Sequence, residues 1–166
     1  MEDYRKMRRK DKFMGPEEAV ELMRRAWVGR LGTMGLDGFP YVVPMSFVYL
    51  EGKIYLHSAR QGQKLDNLRQ NPRVCFEVDE DLGMKRSGLV CGWSQYYRSA
   101  VAYGTARIFE DSGEAVPALR ALVEKYSARS GDPVGITEFS PEEVRKVAVV
   151  EIAVERITGK KGLPKA

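Results

Sequence analysis

Only two cysteines and one histidine occur among the 166 residues, which leaves little material for a metal site. Cys75 and Cys91 lie sixteen positions apart with no CxxC pair, so zinc is not expected, and two isolated thiols call for no oxidising compartment. No apolar run approaches the ~20 residues that span a bilayer, and the opening Met-Glu-Asp-Tyr-Arg-Lys has no apolar segment behind it. A soluble, cytoplasmic protein with no membrane contact is the expectation. A G-x-G-x-x-G fingerprint is also absent, so a dinucleotide held in the Rossmann manner is not expected.

The net charge of +4 is unevenly placed. Residues 1–12 carry six basic and three acidic groups and residues 155–166 carry four and one, leaving −2 for residues 13–154. The positive charge belongs to the ends, and no basic stripe interleaves with stacking aromatics, so specific nucleic-acid binding is not expected. At 166 residues and 43% hydrophobic content the chain suits one domain with a real core. The division read from composition is a basic N-terminal tail (1–12), one folded domain (13–156) and a basic C-terminal tail (157–166).

Gly15-Pro16-Glu17-Glu18 starts a helix, with Val20, Met23 and Trp27 recurring on one face. The period then changes to that of strands. Val28 to Met34, a Gly35-Leu36-Asp37-Gly38 turn and Phe39 to Leu50 read as a hairpin, and Glu51-Gly52 turns the chain into a third strand, Lys53 to Ser58. Both alternating sets of the second strand are apolar, which demands cover on both faces, and Pro44 marks an edge, a bulge or the approach of something other than a strand. A short helix near Gln63 to Gln70 stops at Asn71-Pro72. Strands over Arg73 to Asp79, Tyr97 to Glu110 and Val147 to Val154 follow, with a long connection from Glu80 to Trp93. Asp111-Ser112 caps a helix striped by Val116, Leu119, Leu122, Val123 and Tyr126, and Ser140-Pro141-Glu142-Glu143 reads as a capping box. The fold class expected is mainly β with peripheral helices (α+β), a six-stranded antiparallel barrel, closed or split.

The stretch from Lys53 to Val78 carries the chemistry. Its first strand ends at His57 and Ser58, and the loop then supplies Arg60, Gln63 and Lys64 within a few residues, with free N–H groups where the helix starts at Gln63. Hydroxyl, amide and cationic donors converging at a turn outline an anion site and point to a phosphorylated cofactor. The same composition also serves connections that merely face water.

Gly29-Arg30-Leu31-Gly32-Thr33, Asp37-Gly38-Phe39-Pro40-Tyr41-Val42-Val43-Pro44, His57-Ser58-Ala59 with Lys64-Leu65-Asp66-Asn67, Asn71-Pro72-Arg73-Val74-Cys75-Phe76, and Tyr97-Arg98-Ser99 with Tyr103-Gly104 occur in this order. In that order and spacing the chain resembles the FMN-binding split-barrel superfamily of pyridoxamine 5′-phosphate oxidase, in the branch related to nitroimidazole-resistance proteins. The resemblance implies a homodimer with two FMN molecules in clefts between subunits. It aligns Ser58 and Lys64 with the hydroxyl and lysine that hold the FMN phosphate, and Val43, Pro44 and Met45 with the segment whose backbone lies against the ring. Ser99 takes the place of a flavin-contacting glutamine reaching the cofactor of the other subunit. His57 matches a histidine near the flavin, a candidate for cofactor contact and for catalysis.

Two departures from the oxidase stand out. Gln63 occupies the place of an arginine before the phosphate lysine, so the missing charge falls to Arg60 or Arg30. The chain ends in Gly-Lys-Lys-Gly-Leu-Pro-Lys-Ala rather than in the oxidase's arginine- and tryptophan-bearing segment, so vitamin B6 oxidation is not expected. The function implied is an FMN-binding oxidoreductase reducing a small planar acceptor such as a nitroaromatic, with NAD(P)H or a redox partner protein as donor. Two alternatives are a flavin-binding carrier or redox sensor without turnover, and a relative that holds haem or a deazaflavin.

Overall fold

The structure, a computed structural model, describes residues 7–109, 112–131 and 138–164. The cap expected at Asp111 lies outside them, as do residues 1–6 and 165–166 of the two tails. In chain order the elements are β1 (Phe13–Met14), α1 (Pro16–Arg25), β2 (Val28–Met34), β3 (Pro40–Leu50), β4 (Lys53–Ala59), α2 (Gln63–Gln70), β5 (Arg73–Lys85), β6 (Ser94–Ile108), α3 (Ser112–Ser130), α4 (Pro141–Arg145) and β7 (Val147–Gly162), with short 3₁₀ turns at Lys10–Lys12 and Val90–Gly92.

The sheet runs β1-β7-β4-β3-β2-β5-β6, and a further β6–β7 ladder closes it into a barrel. All pairings are antiparallel. Among the described residues seven strands stand where six were expected. Six of them make the ring, and the seventh is the two-residue β1, laid along β7 with Phe13 opposite Lys160 and Met14 opposite Gly159. Met14 is buried there, so this strand pins the incoming chain to the core.

Several boundaries differ from the sequence reading. β5 continues beyond Asp79 to Lys85 and β6 begins at Ser94, which turns most of the expected connection into a long two-stranded ribbon. β7 runs through the stretch 157–162 placed in the C-terminal tail, because β6 pairs with it as far as Gly162. Trp27 lies beyond the end of α1, whose buried face is Ala19, Leu22 and Met23; the indole instead meets Tyr126 edge-on at 5.8 Å.

The core fills the barrel with Leu31, Phe47, Ile54, Leu56, Phe76, Val150 and Ile152, and α2 adds Leu65 and Leu68. A smaller cluster outside the wall joins α3 and α4 to β7 through Ala115, Ala118, Leu119, Val144 and Val149. The expected capping box is present: the Glu143 N–H donates to Ser140 Oγ, and the Ser140 N–H donates to the Glu143 carboxylate. Among the described residues no helix is long and apolar enough to cross a membrane.

Candidate flavin site

The barrel wall parts between β3 and β4. Their ladder ends at Phe47 opposite Leu56. Earlier in β3, Pro40–Ser46 pair only with β2, while His57–Ala59 pair only with β7. Strand alternation fixes which backbone groups face this opening. The Phe47 N–H and C=O are taken on the β2 side, the first donating to Tyr126 Oη at 2.9 Å and the second accepting from Lys125 Nζ at 3.0 Å. Their even-numbered neighbours therefore turn towards β4. Pro44, which like Pro40 has no N–H to offer, sits at such a position, so the missing donor breaks no ladder bond with β2. Val43 and Met45 pack inward against the core.

On the other lip, His57 and Ser58 project to opposite faces. Ile54 and Leu56 are buried inside the barrel, so Ser58 follows them inward and His57 lies on the outer face with Tyr55. Ser58 Oγ donates to the Ala59 carbonyl at 2.8 Å. His57 is exposed on one side, yet the protein around it removes enough water to hold its pKa below the ordinary imidazole value, which favours the neutral ring.

Gly62 adopts φ 129°, a conformation suited to glycine, and leads into α2 without a side-chain cap. Burial of Leu65 and Leu68 fixes the pose of α2, leaving Gln63 exposed and Lys64 half-buried. Lys64 has no carboxylate partner among the described residues. Arg60 donates to the Arg145 carbonyl at 3.1 Å and likewise pairs with no acid. Arg30 is different: it is bound to Glu77 at 3.1 Å and to Asp79, so it does not replace the missing phosphate arginine. The positive charge available beside the opening is that of Lys64 and Arg60.

Asn67 is a residue whose role the motif alone did not disclose. It is buried, its Nδ2 donates to Thr33 Oγ1 at 2.9 Å, and its Oδ1 has no partner among the described residues. It fastens α2 to β2 beside a cavity of about 300 Å³ lined by Leu36, Asp37, Gln63 and Asp66. Ser99 is not brought to this site within one chain. It lies opposite Lys160 on β7, whereas Ser58 lies opposite Ala148, and those positions are separated by roughly 40 Å of strand at about 3.3 Å per residue. Among the described residues no three His, Cys, Asp or Glu side chains are grouped to hold a metal ion.

The donor set suits a phosphorylated cofactor: two cations free of carboxylates, a hydroxyl, a glycine-led helix start and an opened wall. The family model for pyridoxamine 5′-phosphate oxidase matches residues 15–161. The chain belongs to that family. A 5a,11a-dehydrotetracycline/5a,11a-dehydrooxytetracycline reductase from Streptomyces rimosus is 31% identical over 101 residues, covering 58% of this chain and 66% of that protein, just under two thirds of its length. Among solved structures, a candidate 5-nitroimidazole antibiotic resistance protein from Bacteroides thetaiotaomicron is similar at 30% identity with a TM-score of 0.74, covering 90% of this chain and 85% of that one. The flavocytochrome Anf3 from Azotobacter vinelandii matches with a TM-score of 0.82 over 99% of this chain and 75% of that one; at 18% identity that likeness speaks for the fold alone.

Proposed function

We propose that this family member is an FMN-dependent oxidoreductase that works as a cytoplasmic homodimer and reduces a small planar acceptor, with nitroaromatics the first class to examine. NADH, NADPH or a redox partner protein supplies the electrons. The observation that carries this reading is the pair of unneutralised cations, Lys64 and Arg60, beside the open β3–β4 lips. Bound FMN supplies the redox chemistry, and the protein supplies its position and surroundings. Lys64 and Arg60 meet the phosphate dianion through charge-assisted contacts, supported by Ser58, Gln63 and the first N–H groups of α2. The backbone of Val43, Pro44 and Met45 lies along the ring. His57, held neutral, contacts the cofactor as a hydrogen-bonding ring.

Two features support the homodimer. Val42 on the outer face of the β2–β3 hairpin is 62% exposed, with Met34 and Val28 also uncovered on that side, and Phe39 at the hairpin turn is 73% exposed. The placement of Ser99 near the far end of β7 suits a role across a subunit boundary, since it stands away from the lips of its own chain.

Steady-state assays of FMN-loaded protein with NADH or NADPH and a nitroimidazole test the proposal. Flavin bleaching by one donor and reoxidation by the acceptor are expected. Bound flavin that neither nicotinamide reduces would defeat the direct donor route. Flavin that is reducible but passes electrons to no acceptor would favour the carrier or sensor, and haem or deazaflavin released from the purified protein would replace FMN in the account.

A further inference from the structure

A second cavity, of about 490 Å³, lies on the outer face of the barrel, between the β3–β4 turn, the end of β6 and the first turns of α3. Strand register builds its floor. Glu151 on β7 stands opposite Tyr55 on β4 and opposite Arg107 on β6, so the three side chains share one face. Glu151 is 8% exposed; it accepts from Lys53 Nζ at 2.9 Å and from Tyr55 Oη at 3.1 Å, and lies 3.6 Å from the Arg107 guanidinium. Arg107 also pairs with Glu114 of α3 at 3.1 Å and rests 4.6 Å from the centre of the Phe109 ring. The Tyr55 and Phe109 rings stand nearly parallel with centres 6.5 Å apart, and Leu50, 42% exposed, extends the apolar wall.

Charge selects the ligand. The lining includes three carboxylates, Glu51, Glu114 and Glu151, and one cation, Arg107. Arg107 and Lys53 answer Glu114 and Glu151, whereas Glu51 has no cation partner among the described residues. An anion would meet net repulsion in this space, while a cation finds an unanswered carboxylate beside aromatic rings, whose faces attract positive charge. The volume falls within the range of small-molecule sites. We propose that this cavity binds an arylalkylamine, a small organic cation whose apolar body lies against Tyr55, Phe109 and Leu50 and whose ammonium meets Glu51. No residue assigned to the flavin lines it. It lies on the turn side of Tyr55, away from His57 and Ser58, and Arg107 is eight residues from Ser99 along β6, roughly 26 Å of strand at about 3.3 Å per residue. The inference stands apart from the FMN reading.

The test titrates the full-length protein by calorimetry with 2-phenylethylamine, and with 3-phenylpropionate as a probe of similar body and opposite charge. Saturable binding of the amine is expected, weakening with salt, with no binding of the acid. Butylamine, which lacks the ring, should bind about fivefold more weakly. Glu51→Gln, at an exposed turn position, should raise the Kd of 2-phenylethylamine by about tenfold, and saturation with FMN should leave that Kd unchanged. No binding of the amine at about 1 mM, equal binding of the acid, butylamine binding as tightly, indifference to Glu51→Gln, or displacement by FMN would overturn the assignment. Failure of FMN itself to bind leaves the first titration readable and so is a separate result.

Discussion

β3 parts from a neighbour in two places, and the protein treats them differently. On the β2 side, Trp27 and Phe47 stand one step beyond the last paired residues, Val28 and Ser46, and their ladder bond is missing. The Tyr126 hydroxyl fills it, accepting from the Phe47 N–H and donating to the Trp27 carbonyl, while Lys125 Nζ bridges the Ala26 and Phe47 carbonyls at 2.6 and 3.0 Å. On the β4 side, no side chain among the described residues bonds across the parted edges in this way, and the cations Lys64 and Arg60 lie beside them. Orphaned backbone is costly when buried. The first opening is sealed by α3, whereas the second is the one the proposed function gives to a bound group, and on that proposal the difference separates a structural joint from a binding site.

Variants can break the distinction. Lys64→Ala is expected to weaken FMN binding by about 1.5–3 kcal/mol through loss of a charge-assisted contact, with the urea midpoint of the flavin-free protein almost unchanged. Tyr126→Phe should do the reverse: it orphans a half-buried donor and acceptor, lowering stability by about 1–3 kcal/mol in denaturant titration while FMN affinity stays within about twofold. If the two variants exchanged effects, the assignment of the two openings would be inverted.

Titration sharpens the same contrast with smaller effects. Burial pushes the Lys125 ammonium down to about 8, below its ordinary 10.5. The unfolded chain then holds more protons across that window, so stability should rise with pH between about 8 and 10.5, and Lys125→Met should remove the rise. His57, at the open side, is lowered from 6.5 by desolvation. Its contribution to stability should decline as pH falls below about 6.5 through the folded value. It is the chain's one histidine, so a single imidazole resonance in an NMR pH titration reads this out. A midpoint at or above 6.5 in the flavin-free protein would contradict the burial assigned to it.

Much of the frame was legible in short-range pattern. Period-two apolar runs gave β2 to β4, Asn71-Pro72 stopped α2, and the tight turn is real, with Glu51 and Gly52 at φ 47° and 79°. The misreadings arose where distant residues decide. Asp79 read as the last residue of a strand and Glu80 and Asp81 as the start of a connection, yet all three lie within β5, where Asp79 meets Arg30, Glu80 meets Arg25 at 2.7 Å and Arg98 at 2.9 Å, and Asp81 accepts from Gln95. Asp79 and Glu77 together withdraw Arg30 from the candidate phosphate site, a partnership across 47 to 49 residues that no local motif discloses. Gly29 belongs to a family motif for a packing reason: a Cβ there would lie 2.1 Å from the Phe76 ring. Tyr126 was read as part of an apolar stripe, and its hydroxyl became meaningful only when α3 was seen against the β2–β3 fork. The candidate site was legible as a cluster of donors after β4, but the opening that would receive a ring is a property of strand pairing.

The central claim is that the β3–β4 opening holds FMN, and its most direct test is the visible absorption spectrum of the purified protein with mass spectrometry of what acid releases, followed by FMN titration of any colourless fraction. The account expects a flavin spectrum, FMN mass and saturable uptake that Lys64→Ala weakens. A colourless protein that takes up no added FMN would contradict it.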